Sequence, residues 1–291
     1  MRIVFRLAIA LWMAAWPSWA PAQDRQDQFF DSGGVRIRYF EQGMGEPVVL
    51  VHGYTSSADM WTAPKVVEDL SKTFRVIALD CRGHGKSGKP NDPRQYGEQM
   101  AQDVVRLLDH LGIQKAHVVG YSMGALITAK LLALHRGRIR SAVLGGQGAI
   151  LDPTDAEMLQ FEQLATDIEN GSLRTLVALI TPRGQRLPGE EAMQKAEANL
   201  RARQDLAALA AVARSYRQLK ITAADAAAID VPALALMGSQ DPLIDNVTRL
   251  KNALPTLKVV PIEGANHVNA FGRPEFILAV HGFLKANPIG K

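Results

Sequence analysis

His117-Val118-Val119-Gly120-Tyr121-Ser122-Met123-Gly124-Ala125-Leu126 reads as a buried strand, one sharp turn and the start of a helix. The turn carries Gly120-x-Ser122-x-Gly124, the spacing of a nucleophile elbow. Such a turn lifts the serine hydroxyl out of the sheet. A Cβ at either glycine would crowd the approach of strand to helix. The helix N-terminus just beyond offers N–H groups and a positive dipole end to a developing anion. Ser122 is therefore a candidate nucleophile. So short a pattern also arises by chance, so its surroundings decide.

Around the elbow, apolar strands alternate with amphipathic helices. Asp27–Phe30 and Val35–Glu41 form a strand pair joined through Ser32-Gly33-Gly34, which is turn chemistry. Glu46–Val51, Phe74–Asp80 and Ser141–Gly145 are further strands, and the unbroken apolar run of the first suits a strand covered on both faces. A helix is expected from the Ser57 loop to about Ser71, and another over Tyr96–Leu111. The elbow helix should run to about His135. From about Leu151 to Asp225 no convincing strand occurs, and Ala, Leu, Glu, Gln and Arg dominate. The rhythm resumes with strand Val231–Gly238, a helix near Asn246–Leu254, strand Leu257–Ile262 and a helix from Pro274, a favoured first-turn residue. The fold class is α/β: a mostly parallel central sheet with helices on both faces and an inserted helical cap. The expected division is a core of 23–150 and 226–291, with 151–225 as the cap.

The chain has 291 residues, 47% of them hydrophobic and 21% charged, which is globular composition. Its net charge is +4, and removing Arg2 and Arg6 with the N-terminal segment lowers that to +2. That balance argues against nucleic acid or an anionic membrane as partner. Residues 1–22 have the layout of a secretory signal peptide: two arginines, the apolar run Leu7–Trp16, then small residues. Ala20-x-Ala22 is the expected cleavage site, giving a mature start at Gln23 in a periplasmic or secreted protein. The apolar run is short for a membrane span. The single cysteine, Cys81, cannot form an internal disulfide and suits a buried thiol. No His, Cys or Asp cluster has zinc spacing, so no metal or other cofactor is expected.

Ligands of open parallel sheets bind beyond the carboxyl ends of the strands. After Val51 stand His52-Gly53-Tyr54, after the elbow strand Ser122, after Gly238 Ser239-Gln240-Asp241, and after Ile262 the run Glu263–His267. A serine, an acid and a histidine thus follow strand ends in that order. His267 would act as general base toward Ser122, and Asp241 would hold the imidazole tautomer. Backbone N–H groups of Met123 and Tyr54 are the candidate oxyanion donors. Asp245 is the rival acid, although a helix N-cap role would also explain it. Tyr121 and Met123 flank the serine and are expected to line the pocket. Asp80 and His84 are assigned to fixing the glycine-rich loop Arg82–Gly88, which lacks phosphate-cradle spacing.

Val51-His52-Gly53, Asp80-x-Arg82-Gly83-His84-Gly85-x-Ser87, Gly120-Tyr121-Ser122-Met123-Gly124, Gly238-x-x-Asp241 and His267 together resemble the α/β-hydrolase fold superfamily, in its group of capped esterases and related hydrolases. The resemblance spans about Val48 to Val268. It implies an acyl-enzyme route on a small to medium carboxylic ester or lactone. Perhydrolases, carbon–carbon bond hydrolases and ligand-binding pseudo-hydrolases share these motifs and stand as alternatives. Haloalkane dehalogenases and epoxide hydrolases of this fold carry an aspartate where Ser122 stands. The resemblance also implies that His52 and Gly53 shape the oxyanion loop.

Overall fold

The computed structural model describes residues 26–290. The expected signal segment, residues 1–22, lies outside them. Eight strands form one sheet: β1 (Gln28–Asp31), β2 (Arg36–Gln42), β3 (Glu46–Val51), β4 (Phe74–Leu79), β5 (Ala116–Tyr121), β6 (Ile139–Gly145), β7 (Ala233–Gly238) and β8 (Lys258–Ile262). Their order across the sheet is β1-β2-β4-β3-β5-β6-β7-β8. β2 runs antiparallel to both β1 and β4, and every pairing from β4 to β8 is parallel.

Ten α-helices accompany the sheet among the described residues: α1 (Val66–Leu70), α2 (Glu98–His110), α3 (Met123–His135), α4 (Asp155–Glu169), α5 (Arg174–Ile180), α6 (Glu190–Arg203), α7 (Leu206–Ser215), α8 (Ala223–Ala227), α9 (Ile244–Ala253) and α10 (Pro274–Lys285). The two faces of the sheet bury separate apolar clusters. Val48 and Leu50 of β3 point to one face, where Val67 and Leu70 of α1 and Phe276 and Val280 of α10 pack. Val49 and Val51 point to the other, against Val104 and Leu107 of α2, Leu131 of α3 and Val247 of α9. This alternation follows from the two-residue period of a strand. Burying one such Val or Leu contributes about 1.5–3 kcal/mol. α3 is covered nearly all round, which is why its sequence is almost wholly apolar.

Two helices start or break elsewhere than the sequence suggests. The stretch after Ser57 is a short 3-10 turn, Ala58–Trp61, and then α1, not one helix. Pro64 has no N–H to continue the first turn, and Lys65 takes a left-handed φ of 65° between the two pieces. α9 begins at Ile244 with Leu243 at its cap, so Asp245 is not the N-cap but lies inside the first turn.

Between β6 and β7 the chain runs through α4 to α8. A lone parallel bridge between Leu151 and Ile221 draws the ends of this excursion together. α4 opens with a capping box on Thr154 and Glu157, and α8 with one on Thr222 and Asp225. Of these helices, α4 and α5 wall the cavity onto which Ser122 opens.

Candidate active site

Ser122 sits between β5 and α3 with a φ of 53°, a strained conformation for a residue with a Cβ. The turn around it is closed by backbone proximity. A Cβ at Gly120 would lie 2.1 Å from the Gly124 carbonyl oxygen, and one at Gly124 would lie 2.1 Å from the Val51 carbonyl oxygen. Both glycines are thus needed for strand and helix to meet. The Ser122 N–H donates to the Gly145 carbonyl at 2.8 Å, which ties the elbow to the end of β6.

The loop after β8 brings His267 over the serine. His267 Nε2 is 3.0 Å from Ser122 Oγ, and Nδ1 is 2.9 Å from Asp241 Oδ2. The second Asp241 oxygen accepts from the Leu243 N–H at 3.0 Å. Asp241 is only 2% exposed and His267 6%. A carboxylate facing Nδ1 fixes the proton there, so Nε2 is the lone-pair nitrogen turned to the hydroxyl. The three residues, 26 and 145 positions apart in sequence, form one hydrogen-bonded row.

Asp245 takes no part in that row. It pairs with Arg183, from the stretch between α5 and α6, at 2.5 Å. Tyr121 also departs from expectation: its ring does not line the cavity. As the last residue of β5 it turns to the opposite face, among Trp61, Phe271 and Phe276. Its hydroxyl donates to the His267 carbonyl at 2.6 Å and so props the histidine loop from below. Met123 does line the cavity.

The loop after β3 carries Tyr54. Among the described residues, the backbone N–H groups of Tyr54 and Met123 have no acceptor. His52, behind this loop, is fully buried and engaged at both nitrogens. Its Nε2 accepts from the Cys81 N–H at 2.9 Å, so Nδ1 holds the proton and donates to the Gly53 carbonyl at 2.8 Å. Neither nitrogen is left for a substrate. Two bonds from the α6–α7 region hold the other side of the loop. The Tyr54 hydroxyl donates to the Leu209 carbonyl at 2.8 Å, and Gln204 Nε2 donates to the Thr55 carbonyl at 3.1 Å.

The loop from Asp80 to Gly88 backs this region. Asp80 accepts from the Ala58 and Lys86 N–H groups at 2.7 Å each, and from Arg38 at 3.3 Å. A Cβ on Gly85 would strike its carboxylate. Arg82 forks onto Asp103 of α2 at 2.7 and 2.5 Å, and both side chains are nearly sealed from water. No sequence period marks the Arg82–Asp103 or Arg38–Asp80 pairing, and sequence reasoning missed both. Cys81 is buried, and burial pushes its thiol well above the usual range.

His84 packs edge-on to His52 and Tyr54. Burial, then the neighbouring His52, pushes its pKa down to about 3. Burial lowers His52 as well. The unfolded chain protonates such imidazoles near pH 6.5, whereas the folded chain holds His84 neutral down to about pH 3. The stabilisation is whole above pH 7 and is lost as pH falls below 6.5. At pH 4.5 one such group accounts for about 2–3 kcal/mol. Urea unfolding at pH 7.5 and pH 4.5 should give a smaller acid loss for His84→Gln than for the unmutated protein. An equal loss in both would contradict this.

Ser122 opens into a cavity of about 450 Å³ whose apolar wall includes Leu126, Phe161, Leu164, Leu176 and Leu179. Phe161, Leu164, Leu176 and Leu179 belong to α4 and α5. Gln147, Asn246, Arg249, Glu157 and Asp245 make a polar wall. Among the described residues, no group of three or more His, Cys, Asp or Glu is placed to hold a metal ion. No described helix is long and apolar enough to cross a membrane.

A mostly parallel sheet, a serine on a strand-to-helix elbow and a histidine on the loop after the last strand define a class of hydrolytic folds. The chain belongs to the α/β hydrolase fold family, which matches residues 46–274. Among curated relatives, it is 29% identical to the 2-(acetamidomethylene)succinate hydrolase of Mesorhizobium japonicum, over 88% of this chain and 94% of that one. A shorter stretch, 40% of the chain, is 40% identical to the dihydrolipoyllysine-residue acetyltransferase component of an acetoin cleaving system from Cupriavidus necator. That match spans only 31% of the acetyltransferase, and two further relatives are matched over 37% and 43% of their lengths. Among solved structures, the enol-lactonase from Burkholderia xenovorans superposes with a TM-score of 0.71 at 26% identity, over 89% of this chain and all of that one.

Proposed function

We propose that the protein is a serine hydrolase that cleaves a small to medium carboxylic ester or lactone through an acyl-enzyme. The observation that carries this is the hydrogen-bonded row from Asp241 through His267 to Ser122, at the floor of a largely apolar cavity. In the proposed reaction, Ser122 Oγ attacks the ester carbonyl carbon while His267 Nε2 takes the hydroxyl proton. The tetrahedral oxyanion is held by the N–H groups of Tyr54 and Met123. His267 returns the proton to the departing alcohol as the C–O bond breaks. Water, deprotonated by the same nitrogen, then attacks the acyl-enzyme, and its collapse restores Ser122 and releases the acid. The segment 151–225 acts as a cap that walls the cavity and excludes water.

The test is a fluorophosphonate probe together with a panel of p-nitrophenyl esters and lactones. Labelling at Ser122 with measurable turnover is the expected result. Labelling without turnover of any substrate would favour a ligand-binding role. The similarity to 2-(acetamidomethylene)succinate hydrolase over most of both chains supports a second reading, hydrolysis of an acetamido group rather than an ester. Product analysis separates the two. Residues 1–22 are proposed to be removed on export, and N-terminal sequencing of protein from the periplasm or medium should read Gln23 first.

The loop bonds to Leu209 and Gln204 make a further expectation. Tyr54→Phe keeps the ring but frees the loop from the Leu209 carbonyl. One oxyanion donor then loses its fixed position. A fall in kcat of about tenfold with little change in KM is expected, since misplacing a donor removes part of what deleting one would. Steady-state kinetics on one ester decides; a change in KM alone would sink the idea.

A further inference from the structure

The hydrogen bonds among Glu157, Arg249, Asn246 and Gln147 on the polar wall of the Ser122 cavity trace to Arg249 as donor, and each fixes the orientation of the next group. Glu157 on α4 accepts from Arg249 Nη2 at 2.6 Å. The same nitrogen donates to Asn246 Oδ1 at 2.7 Å. A guanidinium only donates, so the oxygen of Asn246 must face it. That turns Asn246 Nδ2 toward Gln147, whose Oε1 accepts at 2.9 Å. Oε1 also accepts from the Gly148 N–H at 3.0 Å. Two donors on one side leave the Gln147 amide a single orientation. Turning it over would set its NH2 against two N–H groups.

The NH2 of Gln147 is thereby committed to the other side, and no described residue accepts from it there. Gln147 is 9% exposed and lines the cavity together with Ser122. It stands two residues past Gly145, the carbonyl that holds the Ser122 N–H. Among the described residues, the fully sealed side-chain polar atoms without a partner are Trp61 Nε1 and His84 Nε2. Gln147 Nε2 is not sealed, so it is reached from the cavity it lines. A buried amide donor held open on a pocket loses a hydrogen bond whenever the pocket fills with hydrocarbon.

We infer that Gln147 is a specificity-determining residue whose Nε2 donates to an uncharged oxygen on the substrate, beyond its scissile carbonyl. A ketone, ether or second ester oxygen has that chemistry. A carboxylate does not suit the wall: both guanidiniums beside it are already engaged, Arg249 by Glu157 and Arg183 by Asp245, so no cation is left to meet it. This deepens the ester-hydrolase reading and rests on it.

The test compares butyl hexanoate with analogues that carry one ketone along the acyl or the alcohol chain. In the unmutated protein the best ketone analogue should exceed the parent ester by about five- to tenfold in kcat/KM, the effect of one hydrogen bond. In Gln147→Leu that ratio should fall to about one. Gln147→Glu keeps the size and both incoming bonds but shows the cavity an oxygen, so the ratio should drop below one, with hydroxyl analogues preferred instead. A ratio unchanged in both variants, or no ketone preference in the unmutated protein, overturns the proposal. Calorimetric binding of the same pairs to Ser122→Ala reads the ratio without turnover. If the ester reading itself fails, the unmutated protein leaves butyl hexanoate intact while the binding ratio still responds to Gln147.

Discussion

Ser122→Ala is expected to lower kcat for any ester that the protein turns over by about a millionfold, the scale seen when a serine nucleophile is removed from such a row. Alanine removes the one oxygen that His267 Nε2 faces at 3.0 Å. It also keeps a Cβ at the elbow, where the backbone already tolerates one at a φ of 53°. The fold should therefore persist, with an unchanged melting temperature and ester affinity, and fluorophosphonate labelling should vanish. What survives of the rate would come from the Tyr54 and Met123 N–H groups acting on water attack. Progress curves at high protein concentration measure that remainder. Full activity in the variant would remove Ser122 from the chemistry.

Asp241→Asn should follow with a loss of about ten-thousandfold in kcat, because it gives the imidazole the wrong tautomer. The Leu243 N–H donates to Oδ1 at 3.0 Å, so the asparagine oxygen stays on that side. Its NH2 then faces His267 Nδ1 and must donate to it. Nδ1 loses its proton, and Nε2 carries one toward Ser122, where a lone pair is needed. Asp245→Asn should cost less than tenfold, since Asp245 is bound to Arg183 away from the histidine. Comparing the two variants at one pH distinguishes the acids. A larger loss at Asp245 would reverse their assignment.

The elbow and the order of its partners were legible because each follows an apolar strand, and parallel strands deliver their ends to one edge. Ser122, Asp241 and His267 were singled out by that rule together with the serine–acid–histidine chain order and the family resemblance. Tyr121 could not be placed, because whether a residue at a strand end faces the cavity or the sheet's other side depends on the strand's register. Asp245 offered a helix-cap reading by its position before Asn246, yet the helix begins two residues earlier, at Ile244. Pro64 stands in the segment after Ser57, but where a proline divides a helical segment depends on the turn it falls in. Arg38, Arg82 and Gln147 act through partners 21 to 99 residues away. No periodicity records such pairings, because they depend on how loops close over the sheet. The cavity wall from Gln147 to Glu157 is of the same kind.

The two bonds that Leu209 and Gln204 make to the loop of Tyr54 and Thr55 bear on how such proteins could be recombined. A graft that exchanged the excursion between β6 and β7 for one from a relative would be planned as a change of pocket walls. It would also remove the two outer anchors of the loop that starts at Gly53. A chimera would then be slow on every ester, including those its new walls accommodate, unless the donor segment offered a carbonyl and an amide at the same two places. Modularity of the excursion is thus bounded by those anchors, and a productive exchange has to carry them across or rebuild the loop to stand without them.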